Sequence, residues 1–331
     1  MENEKIDIVM PWVDGGDPEW FNEKQKYTVK TGDDANINRY RDWGLLKYWF
    51  RGIEKYAPWV NKIHFITWGH LPPWLDTSNP KLHIVNHKDY IPEKYLPVFS
   101  SHPIELHMHR IEGLSDKFVY FNDDTYLIND ISPECFFING LPVDTVAEVP
   151  LLCFPGGVDH IIANNISIIN KNFRKRDVLK KNRKQWFSLK SPVSTLKNIY
   201  MSAMKGGFSS FVNQHLPLAF LKSTLNEVWT KETEILESTS SHKFRNIEDV
   251  NQWVFRYWQF AKGEFVQAKG PAGKFFSIGK DDEAIKSAFD NQQYKMVCLS
   301  DDHVDTDFEK EQAFLFECFE KILPEKSSFE I

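Results

Sequence analysis

The stretch IDIVMPWVDGGDP at residues 6–18 joins a mostly apolar, β-rich run to an acidic turn. The run predicts a buried strand, and the DGGDP sequence after it is typical of a turn. Farther along, residues 42–57 carry apolar side chains at helical spacing, and Pro58 follows to end the helix. The chain thus begins as a strand, a turn and a helix, which is the start of an α/β unit.

Three more apolar runs predict strands, and they alternate with further helical patterns. The predicted strands are KIHFIT (62–67), LHIV (82–85) and KFVYF (117–121). Predicted helices cover residues 103–114 and 307–322, a helix capped by Asn246 follows residue 245, and residues 171–207 are predicted as helix with loops. A strand is predicted at the end of 158–170. This alternation predicts an α/β fold with a largely parallel sheet and an added helical part.

Charge is unevenly distributed along the 331 residues. The chain has 40 Lys/Arg and 46 Asp/Glu, a net charge of −6, which does not indicate nucleic acid as a partner. Residues 171–190 hold nine Lys/Arg and one Asp, a local +8. This basic segment could hold a polyanionic glycan or the anionic face of a membrane, or it could be a solvated helix.

The sequence shows neither a targeting segment nor a paired-cysteine motif. The N-terminus MENEKIDIVM has no long apolar core, and no stretch of 18 apolar residues occurs, so neither a signal peptide nor a membrane span is expected. The four cysteines form no CxxC pair, which argues against a zinc ribbon and a dithiol redox motif. We expect a cytoplasmic protein, with peripheral association at the inner membrane face as an option.

Acidic residues follow two of the predicted strands. Asp14 and Asp17 come after the first strand, and Asn122, Asp123 and Asp124 come directly after KFVYF. Ligands of open α/β sheets bind beyond the carboxyl ends of the strands, and carboxylates there suit Mg²⁺ or Mn²⁺ held together with substrate phosphates. The alternative is that these side chains only cap turns. A zinc site at His102, His107 and His109 is disfavoured, since the last two are only two residues apart on a predicted helix.

Four blocks of this sequence resemble the Stealth family of bacterial capsular polysaccharide phosphotransferases, which is related to the animal GlcNAc-1-phosphotransferase. The first two blocks are IDIVMPWVDGGDPEW and the segment from NRYRDWGLLKYWF through KFVYFNDDTYLI. The third is QHLPLAFLKSTLNEVW with HKFRNIEDVNQWVFRYW, and the fourth is CLSDDHVD. The resemblance implies a glycosyltransferase A-like, nucleotide-sugar-binding core. It implies a core at 1–170, a basic helical acceptor part at 171–245 and C-terminal helices at 246–331 that complete the core.

The resemblance also implies a reaction and the residues that perform it. The family moves a sugar-1-phosphate from a UDP-sugar to a glycan hydroxyl, forming a phosphodiester and releasing UMP. By the match of motifs, the expected catalytic residues are His215 as general base, Arg245 as phosphate clamp, Asp124 and Asp42. Donor binding is expected from Asp14, Asp17, Arg41 and Asn122, and Mg²⁺ or Mn²⁺ binding from Asp123, Asp124 and Asp302. The expected partners are a UDP-sugar and an anionic polysaccharide acceptor.

Two other functions stay open from the sequence. A conventional glycosyltransferase would use the same donor site but attack the anomeric carbon and release UDP. A non-catalytic glycan-binding module is allowed by the 11 Trp, 11 Tyr and 26 Phe residues, although aromatic side chains in predicted strands and helices are expected to pack in the core. The identity of the sugar, the acceptor hydroxyl and the oligomeric state have no signal in the sequence.

Overall fold

A five-stranded sheet lies at the centre of the structure, a computed structural model that describes residues 5–28, 42–154, 157–301 and 307–331. Its strands are β1 (Ile6–Pro11), β2 (Ile63–Thr67), β3 (Leu82–Asn86), β4 (Lys117–Tyr120) and β10 (Leu218–Leu221), in the order β10-β4-β1-β2-β3. The first four are parallel, and β10 is antiparallel to β4. The predicted α/β fold with a largely parallel sheet is confirmed.

The other strands form small sheets around the central one. They are β5 (Thr125–Leu127), β6 (Phe137–Ile138), β7 (Leu141–Asp144), β8 (Glu148–Val149), β9 (Ser210–Phe211), β11 (Val266–Gln267), β12 (Gly273–Ser277) and β13 (Met296–Ser300). The pairings are β12-β13-β5, β11-β7-β6 and β8-β9.

Helices surround the sheets. They are α1 (Pro18–Tyr27), α2 (Leu46–Tyr56), α3 (His87–Tyr90), α4 (Ser101–Leu106), α5 (Asp159–Asn172), α6 (Lys175–Lys181), α7 (Arg183–Trp186), α8 (Pro192–Ser202), α9 (Lys222–Lys231), α10 (Thr233–Ser241), α11 (Trp253–Lys262), α12 (Asp282–Asn291) and α13 (Phe308–Ile322). Short 3₁₀ helices occur at Glu93–Tyr95, Met108–Arg110 and Pro133–Cys135. In the described part of the chain, no helix is long and apolar enough to cross a membrane.

Both faces of the central sheet are buried. In β1, Ile8 and Met10 join the core that contains residues of α2, α12 and α13, whereas Val9 joins the core that contains residues of α9 and α11. Side chains alternate between the faces of a strand, and a parallel sheet is stable only when both faces are covered. This explains why the first strand is a continuous apolar run instead of an alternating one.

A close contact links α2 to the β12-β13-β5 sheet. A Cβ atom on Gly52 of α2 would lie 2.9 Å from the Leu127 carbonyl oxygen of β5. Glycine is therefore required for the helix to approach the strand this closely. β13 runs antiparallel to β5, with Cys298 opposite Thr125. The carboxyl end of β13 therefore lies beside the acidic turn at residues 122–124.

Several local predictions are wrong. The strand expected at the end of 158–170 is part of helix α5, where the isoleucines pack into the core at helical spacing and tertiary packing overrides their β propensity. The helix predicted over 103–114 is two short pieces, α4 and Met108–Arg110. The helix expected after Asn246 starts at Trp253, because Asn246 and Asp249 instead close a turn.

Candidate active site

A cavity of about 400 Å³ opens at the edge where β1 and β4 end. Because these strands are parallel neighbours, Trp12 after β1 and Asn122–Asp124 after β4 reach the same edge. β10 is antiparallel to β4, so the residues that precede β10, including His215, lie at this edge too. The cavity is lined by side chains from all three segments and by Arg245. The topology therefore assembles the expected site from residues far apart in sequence.

Asp124 forms the centre of this site. Its Oδ2 lies 3.4 Å from His215 Nε2 and accepts a hydrogen bond from the Cys298 thiol at 3.4 Å. Its Oδ1 is buried and has no hydrogen-bond donor among the described residues. Burial raises the pKa of Asp124 to about 6. A buried carboxylate oxygen that lacks a donor is suited to contact a cation.

Asp123 is the second member of the acidic pair. Its exposed surface lines the cavity, where the surrounding protein limits contact with bulk water. Burial is the main cause that raises the pKa of Asp123 to about 7, and the neighbouring charge of Asp124 adds to the effect, as does Asp42. Two carboxyls with raised pKa values in one cavity favour either a shared proton or a bound cation.

His215 is held in a strained backbone conformation. Its φ is 49°, in the left-handed region that non-glycine residues rarely adopt. The side chain is 45% exposed, and its ring faces Asp124. Strain of this kind persists where the surrounding structure fixes it, and it is concentrated at functional sites. The geometry therefore supports the expected placement of His215 beside the acidic pair.

Arg245 lines the cavity and lies next to a turn that Asp249 stabilises. The buried carboxylate of Asp249 lies 2.8 Å from His102 Nδ1 and 2.7 Å from His242 Nδ1, and it accepts the Asn246 backbone N–H at 2.9 Å. These contacts fix the backbone on both sides of Arg245. The charge of Arg245 also lowers the pKa of Glu105, although burial raises it more. Arg245 therefore has a fixed backbone, and this exposed residue lines the cavity.

Asp42, which was predicted as catalytic, and Asp14 and Asp17, which were predicted to bind the donor, have separate local contacts. Asp42 accepts the Gly44 N–H at 2.8 Å and does not cap α2, whose N-cap is Leu45. Burial, and next the charge of Asp14, raise the pKa of Asp42 against that hydrogen bond, so these two acids are neighbours. Asp17 caps α1 through the Trp20 N–H at 2.7 Å.

Arg41 and Asp302 lie outside the described residues. Asp301 follows β13 at the same edge as the acidic turn. Two of the three histidines of the disfavoured zinc site have other partners, since His102 contacts Asp249 and His107 contacts Ser240.

Sequence reasoning missed two features of the site. The cysteine pattern gave Cys298 no role in a site, and nothing near it in sequence marks it as a neighbour of Asp124. Gln252 lines the cavity and is 6% exposed, and its Oε1 has no donor among the described residues. A ligand N–H or O–H can satisfy that oxygen. A signal for Gln252 was its place in the third Stealth-like block.

Asp124, His215 and Cys298 form the one group of three potential metal ligands within the described ranges. One ligand atom from each lies within 4.8 Å of the others. The unpartnered oxygen of Asp124 and this donor set fit a divalent cation. The carboxylate suits Mg²⁺ or Mn²⁺, whereas the imidazole and thiol favour a softer ion than Mg²⁺. Of the two expected ions, Mn²⁺ therefore fits this set better.

Comparison with known proteins identifies the family. Conserved region 1 of Stealth proteins matches residues 4–30, and conserved region 2 matches residues 39–143. The chain is 40% identical over 330 residues to the capsular polysaccharide phosphotransferase WcwK of Streptococcus pneumoniae, covering 99% of this chain and 98% of that protein. The chain belongs to the Stealth family.

Two further relatives of this Stealth protein also match along nearly their whole length. The receptor polysaccharide phosphotransferase WefC of Streptococcus gordonii is 40% identical, with 99% of each chain covered. The exopolysaccharide phosphotransferase cps2G of Lactiplantibacillus plantarum is 35% identical, with 98% of this chain and 96% of that protein covered. Among solved structures, the galactosyltransferase LgtC covers 96% of both chains at 12% identity and a TM-score of 0.42. That similarity is too low for substrate or mechanism to be inferred from it.

Proposed function

We propose that this Stealth protein transfers a sugar-1-phosphate from a UDP-sugar to a glycan hydroxyl during capsule or exopolysaccharide synthesis, with release of UMP. The printed names of its near full-length relatives, which are capsular, receptor and exopolysaccharide phosphotransferases, support transfer of a phosphate-containing group. The observation that carries the proposal is the convergence of Asp123, Asp124, His215 and Arg245 on one cavity. This set provides cation ligands, a base and a phosphate clamp at a single place.

The cavity offers complementary contacts for a nucleotide diphosphate-sugar. Trp12, Trp20 and Trp253 line it; Trp253 is the least buried of the three, and its face can stack on a base or a sugar ring. The Oε1 of Gln252 can accept an N–H from the base. The guanidinium of Arg245 can bind phosphate oxygens in a bidentate manner. A divalent cation on Asp123 and Asp124 would supply positive charge against the diphosphate.

The transfer step balances with these residues. The acceptor hydroxyl oxygen forms a bond to the β-phosphorus, and the bond between that phosphorus and the bridging oxygen breaks. UMP leaves with the bonding electron pair, and His215 Nε2 accepts the hydroxyl proton. Phosphoryl transfer of this kind depends mainly on positioning and charge stabilisation. The same Nε2 atom faces Asp124, so it can act as base or as metal ligand, but not both at once.

The test is the nucleotide product. The purified protein is incubated with a panel of UDP-sugars, Mg²⁺ or Mn²⁺, and a capsule oligosaccharide. Release of UMP supports the proposal, and release of UDP would instead support a conventional glycosyltransferase. Glycan binding without nucleotide turnover would support a binding module. Asp124→Asn should abolish turnover. The matched control is Asp290→Asn on the surface of α12, where Asp290 pairs with Lys286 and Lys321, and it should retain turnover.

A further inference from the structure

Helix α8 (Pro192–Ser202) carries its apolar side chains on the outside. Its buried residues are Ser194, Asn198 and Met201. The outward side chains are exposed, and they include Leu196 at 67% and Tyr200 at 69%. Further exposed apolar side chains on this helix and at its ends are Val193, Ile199, Leu189 and Met204. This arrangement is the reverse of the usual surface helix, whose apolar face points to the core.

Polar contacts hold α8 in this orientation. Asn198 donates from Nδ2 to the carbonyl oxygens of Val146 at 3.0 Å and Trp186 at 2.8 Å, and its Oδ1 accepts the Glu148 N–H at 2.7 Å. Lys175 Nζ contacts the Met201 carbonyl oxygen at 2.8 Å. Every polar group of the Asn198 side chain is engaged in the interior. The helix therefore cannot rotate its apolar face inward without losing these bonds.

The chain around α8 has one sign of charge. Residues 178–226 contain no Asp or Glu and eight Lys/Arg, which are Lys180, Lys181, Arg183, Lys184, Lys190, Lys197, Lys205 and Lys222. The first seven are exposed. Within the described ranges, none of these seven forms an ion pair. An exposed apolar helix face thus lies in a stretch of chain whose charged residues are all basic.

We propose that α8 docks the protein on an anionic lipid surface. Helices with a basic polar surrounding and an apolar face that includes Leu and Tyr lie in the interface of a membrane, with the apolar side inserted. Lysine and arginine side chains close to the surface add attraction to anionic headgroups. A second copy of this chain fits less well, because pairing two α8 faces would bring two basic surfaces together.

The position of α8 connects this surface to the cavity. α8 packs against β8, and β8 pairs with β9. The chain continues from β9 into Asn213–His215 at the cavity. The β8-β9 strand pair therefore connects a membrane-bound α8 to the candidate active site. The docking proposal does not depend on the transfer reaction, since it rests on α8 and its charges alone.

Vesicle flotation tests the proposal. The full chain is mixed with phosphatidylcholine vesicles with or without about 30% phosphatidylglycerol. We expect the protein to float with the anionic vesicles, and Leu196→Gln with Tyr200→Gln to lower the partition coefficient by about tenfold or more. The matched control is Leu152→Gln with Ile247→Gln, which removes two apolar side chains that are 65% and 72% exposed elsewhere. It should bind within about twofold of the unchanged protein.

Charge and assembly are measured separately. Replacing Lys190, Lys197 and Lys205 with glutamine should weaken binding to the anionic vesicles and leave the weak binding to pure phosphatidylcholine unchanged. Equal flotation of the α8 variant and the control would overturn the proposal, as would failure of the unchanged protein to float. The proposal would also be overturned if light scattering showed a dimer that depends on α8 and flotation showed that this dimer does not bind vesicles. A second copy of the chain would then cover the apolar face of α8.

Discussion

Replacing Asp124 with asparagine tests the electrostatics of the acidic pair in the metal-free protein. Burial raises the pKa of this carboxyl from 3.8 to about 6. Its ionised form is therefore less favourable in the folded protein than in the unfolded chain. The resulting loss of stability develops as pH rises from the unfolded pKa through the folded pKa, and it is complete above both. Asparagine has nearly the same shape, carries no charge and can still accept the Cys298 S–H.

The size of the effect follows from the pKa difference. A shift from 3.8 to about 6 corresponds to about 3 kcal/mol, at 1.36 kcal/mol for each pKa unit. The side chain is 27% exposed, so solvent screening reduces the penalty. We therefore expect chelator-treated Asp124→Asn to exceed the unchanged protein in free energy of unfolding by about 1–3 kcal/mol at pH 8. Near pH 4 the gain should disappear.

Urea unfolding with EDTA at both pH values measures this difference. Asp290→Asn is the control, and it should change the free energy of unfolding in the opposite direction. Ion pairs with Lys321 and Lys286 lower the pKa of Asp290, so its ionised form is favourable in the folded state. The control should show a small loss at pH 8 instead of a gain. The reasoning is refuted if Asp124→Asn is less stable than the unchanged protein at pH 8, or if its gain is the same at pH 4. Adding Mn²⁺ should stabilise the unchanged protein and not the variant.

Three further predictions concern the cavity. His215→Ala should lower kcat by about 10²–10⁴-fold with UDP-sugar affinity nearly unchanged in fluorescence titrations; loss of Mn²⁺ affinity would identify His215 as a metal ligand instead. Arg245→Ala should weaken both donor binding and kcat/KM, by about 2–4 kcal/mol in transition-state stabilisation, and Arg245→Lys should recover only part; unchanged kinetics would remove Arg245 from the site. The carboxyls of Asp123 and Asp124 have pKa values of about 7 and 6, so protons compete with the cation for them. Calorimetry should therefore show weaker Mn²⁺ binding below pH 7 and proton release on binding. An Mn²⁺ affinity that does not change with pH would contradict this prediction.

The parallel part of the sheet and the edge that holds the site could be predicted from local sequence. The apolar runs at 6–13 and 117–121 mark strands buried on both faces. Asp14 follows the first run directly, and Asp123 and Asp124 follow the second run after Asn122. Parallel neighbours bring those ends together. The family resemblance added His215 and Arg245, because neither residue has a local pattern that distinguishes it from a turn residue or a surface ion-pair partner.

The rest depends on contacts that local sequence does not contain. Cys298 reaches Asp124 across 174 positions, through the pairing of β13 with β5. The Asp17-Pro18 pair carried a helix-start signal, but those residues were assigned to a turn with a ligand role, so α1 was missed. The reversed burial of α8 also has no local signal, because its apolar residues follow helical spacing whichever way the face points.

The fate of the β-phosphorus tests the central claim most directly. A UDP-sugar labelled with ³²P at the β-phosphate is incubated with the protein, Mn²⁺ and a glycan acceptor, and the products are separated. Transfer of a sugar-1-phosphate predicts that the label enters the glycan and that the released nucleotide is unlabelled UMP. Label that leaves as UDP, with an unlabelled sugar on the glycan, would contradict the account.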